Sequence, residues 1–155
     1  YRSDPVQMVD GFELLNDELS TSNLKIFDED PEKILRLFRH SQRLSASLSP
    51  DLRSLVRSRL SLIDSTLINS NSANVTFRSI LQEIGNVSPT LCEMHELGVL
   101  GRFIPEFGRL TCKVQHDLYH RFTADVHVLH CITVLDEVFQ GKRKDACQSR
   151  KAKVN

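Results

Sequence analysis

Three prolines constrain where helices can begin. In Asp30-Pro31, Ser49-Pro50 and Ser88-Pro89, a side-chain acceptor stands immediately before the ring. The acceptor can take an orphan N–H of a first helical turn. Proline at the first helical position has no N–H to leave unpaired. Each pair therefore predicts a helix N-terminus, with Asp30, Ser49 and Ser88 as caps. The residues that follow carry apolar side chains at three- and four-residue steps. They are Ile34, Leu35 and Phe38, then Leu52, Leu55, Val56, Leu60, Ile63 and Leu67, then Leu91 and Met94 with His95 beside them. Two more stripes lack a proline start. Phe77, Ile80, Leu81 and Ile84 follow the polar connection Asn69-Ser70-Asn71-Ser72, and Gly85 closes them. Val128, Leu129, Ile132, Leu135, Val138 and Phe139 form the last, from Thr123 to the stop at Gly141.

Gly101, Pro105 and Gly108 break the stretch from Val99 to Leu110 into turns or short helices. Phe12-Glu13-Leu14-Leu15 and Leu24-Lys25-Ile26-Phe27 read as short strands or extended segments. No internal repeat and no alternation of strand and helix is present. The expected class is mainly α, a bundle of about five or six helices with a short extended segment at the N-terminus.

Composition narrows the function. Lys plus Arg and Asp plus Glu total 20 each in 155 residues, so the formal net charge is zero. That argues against a nucleic-acid binder acting through bulk electrostatics. No apolar run approaches the ~18–20 residues of a membrane helix, and residues 1–5 show no signal-peptide pattern. The chain lacks an initiator Met, and is expected to be a piece of a longer protein. Cys92, Cys112, Cys131 and Cys147 contain no C-x-x-C pair. They read as reduced thiols of a cytoplasmic protein rather than as a zinc knuckle or a disulfide framework. The tail 142–155 holds six basic residues and one acid, and reads as exposed or disordered.

Polar chemistry concentrates between Gln115 and His130, where four of the six histidines lie: His116, His120, His127 and His130. Neutral imidazole binds divalent metals and carboxylates suit harder ions, so His116-Asp117 with its neighbours could build a metal-dependent hydrolase centre. Asp125 sits near a helix N-terminus, where it complements the dipole, and Thr123 is the natural cap. His127 and His130 share a helix face, with packing the expected role of His130. A separate metal site built from His95, His116, Asp117 and Asp125 is a further reading. Asp28-Glu29-Asp30 resembles a two-metal Asp-x-Asp pair, but no Gly-Ser loop precedes it, so Asp30 is read as a cap. No dinucleotide fingerprint, phosphate-binding loop, G-x-S-x-G or H-E-x-x-H occurs.

Met94-His95-Glu96-Leu97-Gly98-Val99-Leu100-Gly101-Arg102-Phe103-Ile104-Pro105-Glu106-Phe107 followed by Gln115-His116-Asp117-Leu118-Tyr119-His120-Arg121-Phe122-Thr123-x-Asp125-x-His127 resembles the bacterial PII protein uridylyltransferase/uridylyl-removing enzymes. Phe27-x-x-Asp30-Pro31-x-x-Ile34-Leu35-Arg36-Leu37-Phe38 fits the same family, and the resemblance covers residues 10–140. It implies that residues 1–115 are a helical connector following a nucleotidyltransferase domain. Residues 116–141 would be the lead-in and first helix of an HD-type phosphohydrolase domain, and 142–155 a basic tail. It implies that His127 is the first metal ligand of that domain, the family's His-Asp doublet lying beyond residue 155. His116, Asp117 and His120 match the lead-in and, with Asp125, are weaker candidates. Val126 replaces the family's Glu, leaving Thr123 to cap without a reciprocal partner, and Cys112 replaces a frequent Gly.

The implied cofactor is a divalent metal, Mg or Mn, in the full-length enzyme. The implied partners are the PII signal protein and UTP, with no membrane and no nucleic acid. One ligand cannot hold a catalytic ion, so the isolated chain is expected to be inactive. A different class of reading is a free-standing helical module that docks PII or another protein without catalysis.

Overall fold

The computed structural model describes residues 5–111 and 123–142. The N-terminal segment is a small meander. Strands β1 (Gln7–Val9), β2 (Phe12–Leu15) and β3 (Glu18–Ser20) run antiparallel, and β4 (Ser47–Leu48) adds parallel to β3. Both hairpins turn on two residues, Asp10-Gly11 and Asn16-Asp17, all four with positive φ. That geometry matches the twist of paired strands and favours Asp, Asn and Gly. Phe12, Leu19 and Leu48 are buried on the helix-facing side.

The second extended segment expected in this region is instead α1 (Ile26–Glu29). The Asn23 side chain accepts the Lys25 N–H at 3.0 Å and the Asn23 carbonyl accepts the Ile26 N–H, turning the chain into a helical turn. This turn buries Ile26 and Phe27 together, and Phe27 meets Phe12 with ring centroids 6.0 Å apart.

Of the three proline starts, one is capped as read. Helix α3 (Pro50–Ser58) begins with the Ser49 hydroxyl accepting the Leu52 N–H at 3.2 Å. Helix α2 (Lys33–Leu44) starts later than expected, with Glu32 at the cap position. The Asp30 carboxylate accepts from the Glu32 N–H at 3.2 Å and from Arg36 at 2.6 Å, so it fastens the turn ahead of the helix. At the third start the helix begins on Ser88 itself, with Val87 at the cap position.

The long stripe after Pro50 is three pieces rather than one helix. After α3 come a 3-10 turn (Leu60–Leu62) and α4 (Ser65–Ile68), the latter capped by Asp64, which accepts the Leu67 N–H at 3.0 Å. The polar connection at residues 69–72 supplies the Ser70 cap of α5 (Asn71–Leu81). Helices α6 (Ser88–Glu96), α7 (Val99–Phe103), α8 (Pro105–Thr111) and α9 (Ala124–Phe139) complete the described residues. Six of the nine helices described have seven residues or more, so the chain is mainly α, as the periodicity predicts. Among them no helix is long and apolar enough to cross a membrane.

The core lies between α2, α5 and α6, with Ile34, Leu35, Leu37, Phe38, Ile80, Met94 and Leu97 fully covered. Buried Gln42 joins these elements. Its amide donates to the Ile80 and Asn86 carbonyls at 3.0 and 2.9 Å, and its oxygen accepts from Arg39 at 2.8 Å. A buried amide is tolerated because its hydrogen-bonding groups find partners.

Asp10, in the first hairpin turn, holds Arg36 at 2.8 Å and His40 at 3.1 Å. Burial pushes the Asp10 carboxyl up, but hydrogen bonds and charge from Arg36 and His40 outweigh it and hold it below its ordinary value. The Ser70 and Ser72 hydroxyls donate to Glu32 and depress its carboxyl as well. A depressed carboxyl contributes stability that is complete above its unfolded value and lost as pH falls through the folded one. The unfolding free energy should therefore decline below about pH 4. Asp10→Asn should flatten that decline and lower stability at neutral pH. Urea titrations across pH check it, and an unchanged acid slope in the variant would refute the assignment.

Candidate functional site

Helix α9 carries the described histidines of the 115–130 cluster, and its periodicity decides which way each one faces. Asp125 and Leu129 are buried, Ile132 is half-buried and Asp136 is buried, spaced four, three and four residues apart. This is the face that packs on α6 and α8. His127 lies two residues from Asp125, on the opposite side of the helix, and is exposed. His130 and Cys131 are exposed too. His130 therefore does not pack as expected, because it sits one residue past Leu129 and the core contact has already turned away.

The buried face joins the core through Leu129 and Ile132 and carries a buried aspartate at each end. The Asp136 carboxylate accepts the Val87 and Ser88 N–H groups at 2.9 and 2.6 Å. These are orphan donors at the start of α6, which an aspartate satisfies doubly well through its charge. The cap expected of Ser88 thus comes from a residue 48 positions later. Ser88 uses its own hydroxyl on Thr133, 2.5 Å away. Thr133 gives its proton to the Leu129 carbonyl, so Ser88 is the donor of that pair. Gln140 closes the far end by donating to the Gly85 carbonyl.

At the near end, Asp125 is 3% exposed and its Oδ2 lies 3.1 Å from His95 Nε2 on α6. The His95 ring meets Phe107 of α8 edge-on at 5.5 Å. Burial pushes the Asp125 carboxyl up. The Thr123 hydroxyl, the N–H groups of Val126 and Asp125, and His95 outweigh it and bring it below its ordinary value. No group among the described residues is placed well enough to hydrogen-bond Oδ1, so the first turn acts on that oxygen as oriented dipoles. Thr123 occupies the cap position, yet its hydroxyl makes no cap bond.

His95 and Asp125 are thus brought together as the four-residue metal reading required. Its other members, His116 and Asp117, lie outside the described residues, as do His120, Cys112, Cys147 and the tail beyond Lys142. Among the described residues no three His, Cys, Asp or Glu side chains converge into a metal cradle. A divalent ion held by these residues alone would have too few ligands, and no hydrolytic step follows from them. Asp136 and Thr133 were missed in the sequence, although an aspartate at an apolar position of the last stripe is a visible sign of a partner.

Fold and site define a mainly α domain that clamps a histidine-bearing helix by its buried face and leaves the histidine outward. The chain belongs to the uridylyltransferase GlnD third-domain family, whose model matches residues 12–103. It is also 38% identical over 133 residues to the bifunctional uridylyltransferase/uridylyl-removing enzyme of Rhodopseudomonas palustris. That match takes in 85% of this chain and 14% of the relative, so the chain spans a small fraction of that protein's length.

Proposed function

We propose that this chain works inside a bifunctional uridylyltransferase/uridylyl-removing enzyme. Residues 1–115 are its helical connector, and the segment 116–141 leads into the first helix of an HD-type phosphohydrolase domain. The carrying observation is the reach of the similarity. A match of 133 residues within 155 necessarily includes His127, which stands exposed on a helix clamped to the connector.

In the parent enzyme His127 would be one ligand of a divalent ion, Mg or Mn, with the remaining ligands supplied from outside this chain. Such an ion supplies an acidified water for attack on the phosphodiester between UMP and the PII protein. The residues here do the mechanical part. Asp125 and Asp136 fix both ends of α9 on α6, so the direction of His127 is set by the connector. UTP and PII are substrates of the parent, and the chain by itself hydrolyses nothing.

The test is His127→Ala at the matching position of an intact homologue. Uridylyl removal should fall at least about 100-fold at limiting metal, since outer-shell losses alone reach 10–100-fold. UMP transfer should persist. Removal that survives unchanged would overturn the ligand role.

A further inference from the structure

Helix α9 carries an apolar stripe that the described residues leave uncovered. Val128, Ile132, Leu135 and Phe139 follow one another at steps of four, three and four, so they share one side of the helix. Ile132 is half-buried against the core, but Val128 is exposed and Leu135 and Phe139 are 52% and 58% exposed. The turn that joins α5 to α6 continues the stripe. Its Ile84 is 76% exposed, and with Leu81 and Val87 it lines one cleft of about 220 Å³ together with Ile132, Leu135 and Phe139. Single exposed apolar side chains are ordinary, whereas a contiguous patch marks an interaction surface.

Three observations choose the occupant. Helix α9 ends at the cleft itself, where the Gln140 amide donates to the Gly85 carbonyl. Whatever follows α9 in a longer enzyme therefore starts beside the patch, at high effective concentration. Residues 142–155 carry six basic side chains and only Val154 as a large apolar group, too little to fill the cleft. The stripe also borders the outward histidine. At 3.6 residues per turn Leu135 stands ~80° around the helix from His127, with Asp125 and Asp136 on the far side. A segment packed on Leu135 thus comes alongside His127. We propose that the cleft between α9 and the turn joining α5 to α6 seats the apolar face of a helix from the part of the parent enzyme that follows α9. That helix presents large apolar side chains at helical spacing, which enter between Ile84 and Leu135. It touches the connector and α9 at once, so the connector itself helps to hold the hydrolase in place. This docking presupposes the uridylyl-removing parent, and the two are tested separately.

A photo-crosslinker reads the occupant directly. Benzoylphenylalanine replaces the residue matching Ile84 in an intact homologue, and the irradiated products are mapped by mass spectrometry. Crosslinks should fall within the same chain, C-terminal to the position matching Gly141. Products confined to the connector and α9, joined to the region preceding the connector, or joined to a second copy would each overturn the docking. Activity gives a second readout. Ile84→Asp at the matching position should cut uridylyl removal at least about tenfold, since a loosened catalytic group is costly, and leave UMP transfer unchanged. Ile84 is exposed, so the 155-residue chain carrying Ile84→Asp should keep its far-ultraviolet circular dichroism and thermal midpoint. If His127→Ala abolishes removal and Ile84→Asp spares it, the docking fails and the parental reading stands. If His127→Ala spares removal, the ligand reading fails and the crosslinks alone decide the docking.

Discussion

Asp136→Ala should lower the unfolding free energy by about 3–5 kcal/mol. The carboxylate is 5% exposed and accepts two backbone N–H groups, those of Val87 and Ser88. Alanine leaves both donors without a partner at the packed start of α6. Each buried donor so abandoned costs ~1–3 kcal/mol, and bonds to a charged acceptor lie in the upper part of that range. Asn keeps one oxygen acceptor of nearly the same shape, so Asp136→Asn should cost about half as much. Guanidinium unfolding of the two variants beside the parent gives both numbers. A loss under about 1 kcal/mol for the alanine variant would mean that water reaches the end of α6 and the carboxylate is not its cap.

Gly108→Ala should be destabilising by about 3 kcal/mol, against the usual sign for such a change. Within a helix, alanine ordinarily exceeds glycine in stability by ~1 kcal/mol, because glycine loses more backbone freedom. Here α8 crosses α7 at backbone contact. A Cβ at residue 108 would stand 2.5 Å from the Gly101 carbonyl oxygen and 3.2 Å from its carbon. Those are main-chain atoms of a packed helix, so the clash is relieved only by parting α7 from α8. Overpacking of this kind costs ~1–3 kcal/mol and occasionally more. Gly101→Ala meets the Gly108 Cα at 3.1 Å and should cost less. Thermal unfolding that ranks the variants in the opposite order would contradict the crossing.

The sequence was most legible where the cause is local. Ser49 caps α3 because its acceptor and the N–H it takes are three residues apart. The stripes of α2 and α6 bury the apolar residues their periodicity selects, whereas of the stripe read on α5 only Ile80 is buried, Phe77 is half-buried, and Leu81 and Ile84 are exposed. The two-residue hairpin turns at Asp10-Gly11 and Asn16-Asp17 were missed, because the strands they join have only three or four residues, too few for alternation to show. What could not be read has a partner far along the chain. Ser88 looks like a cap, and only the approach of Asp136 makes it an ordinary first-turn residue. Asp30 is a different case, since its partners Glu32 and Arg36 are near in sequence and close a turn ahead of α2 rather than its first turn.

The same division holds at the site. Spacing places His127 and Asp125 on opposite faces of α9, which is a local fact. That Asp125 meets His95, 30 residues earlier, belongs to tertiary structure. The family resemblance named His127, but it could not show that the helix carrying it is held on α6 through Asp125 and Asp136.

Ser49 serves two structures at once. Its N–H donates to the Leu19 carbonyl at 2.9 Å, extending the β3–β4 pairing, while its hydroxyl begins α3. The meander can zip locally through its two-residue turns, but its fourth strand arrives only after α1 and α2 have been laid down between. Closing that long loop and starting α3 are then a single event. In native-state hydrogen exchange, the amides of Ser49 and Leu52 should accordingly share one opening free energy. Sheet and helix would detach together, and the N-terminal meander behaves as a flap hinged on one serine.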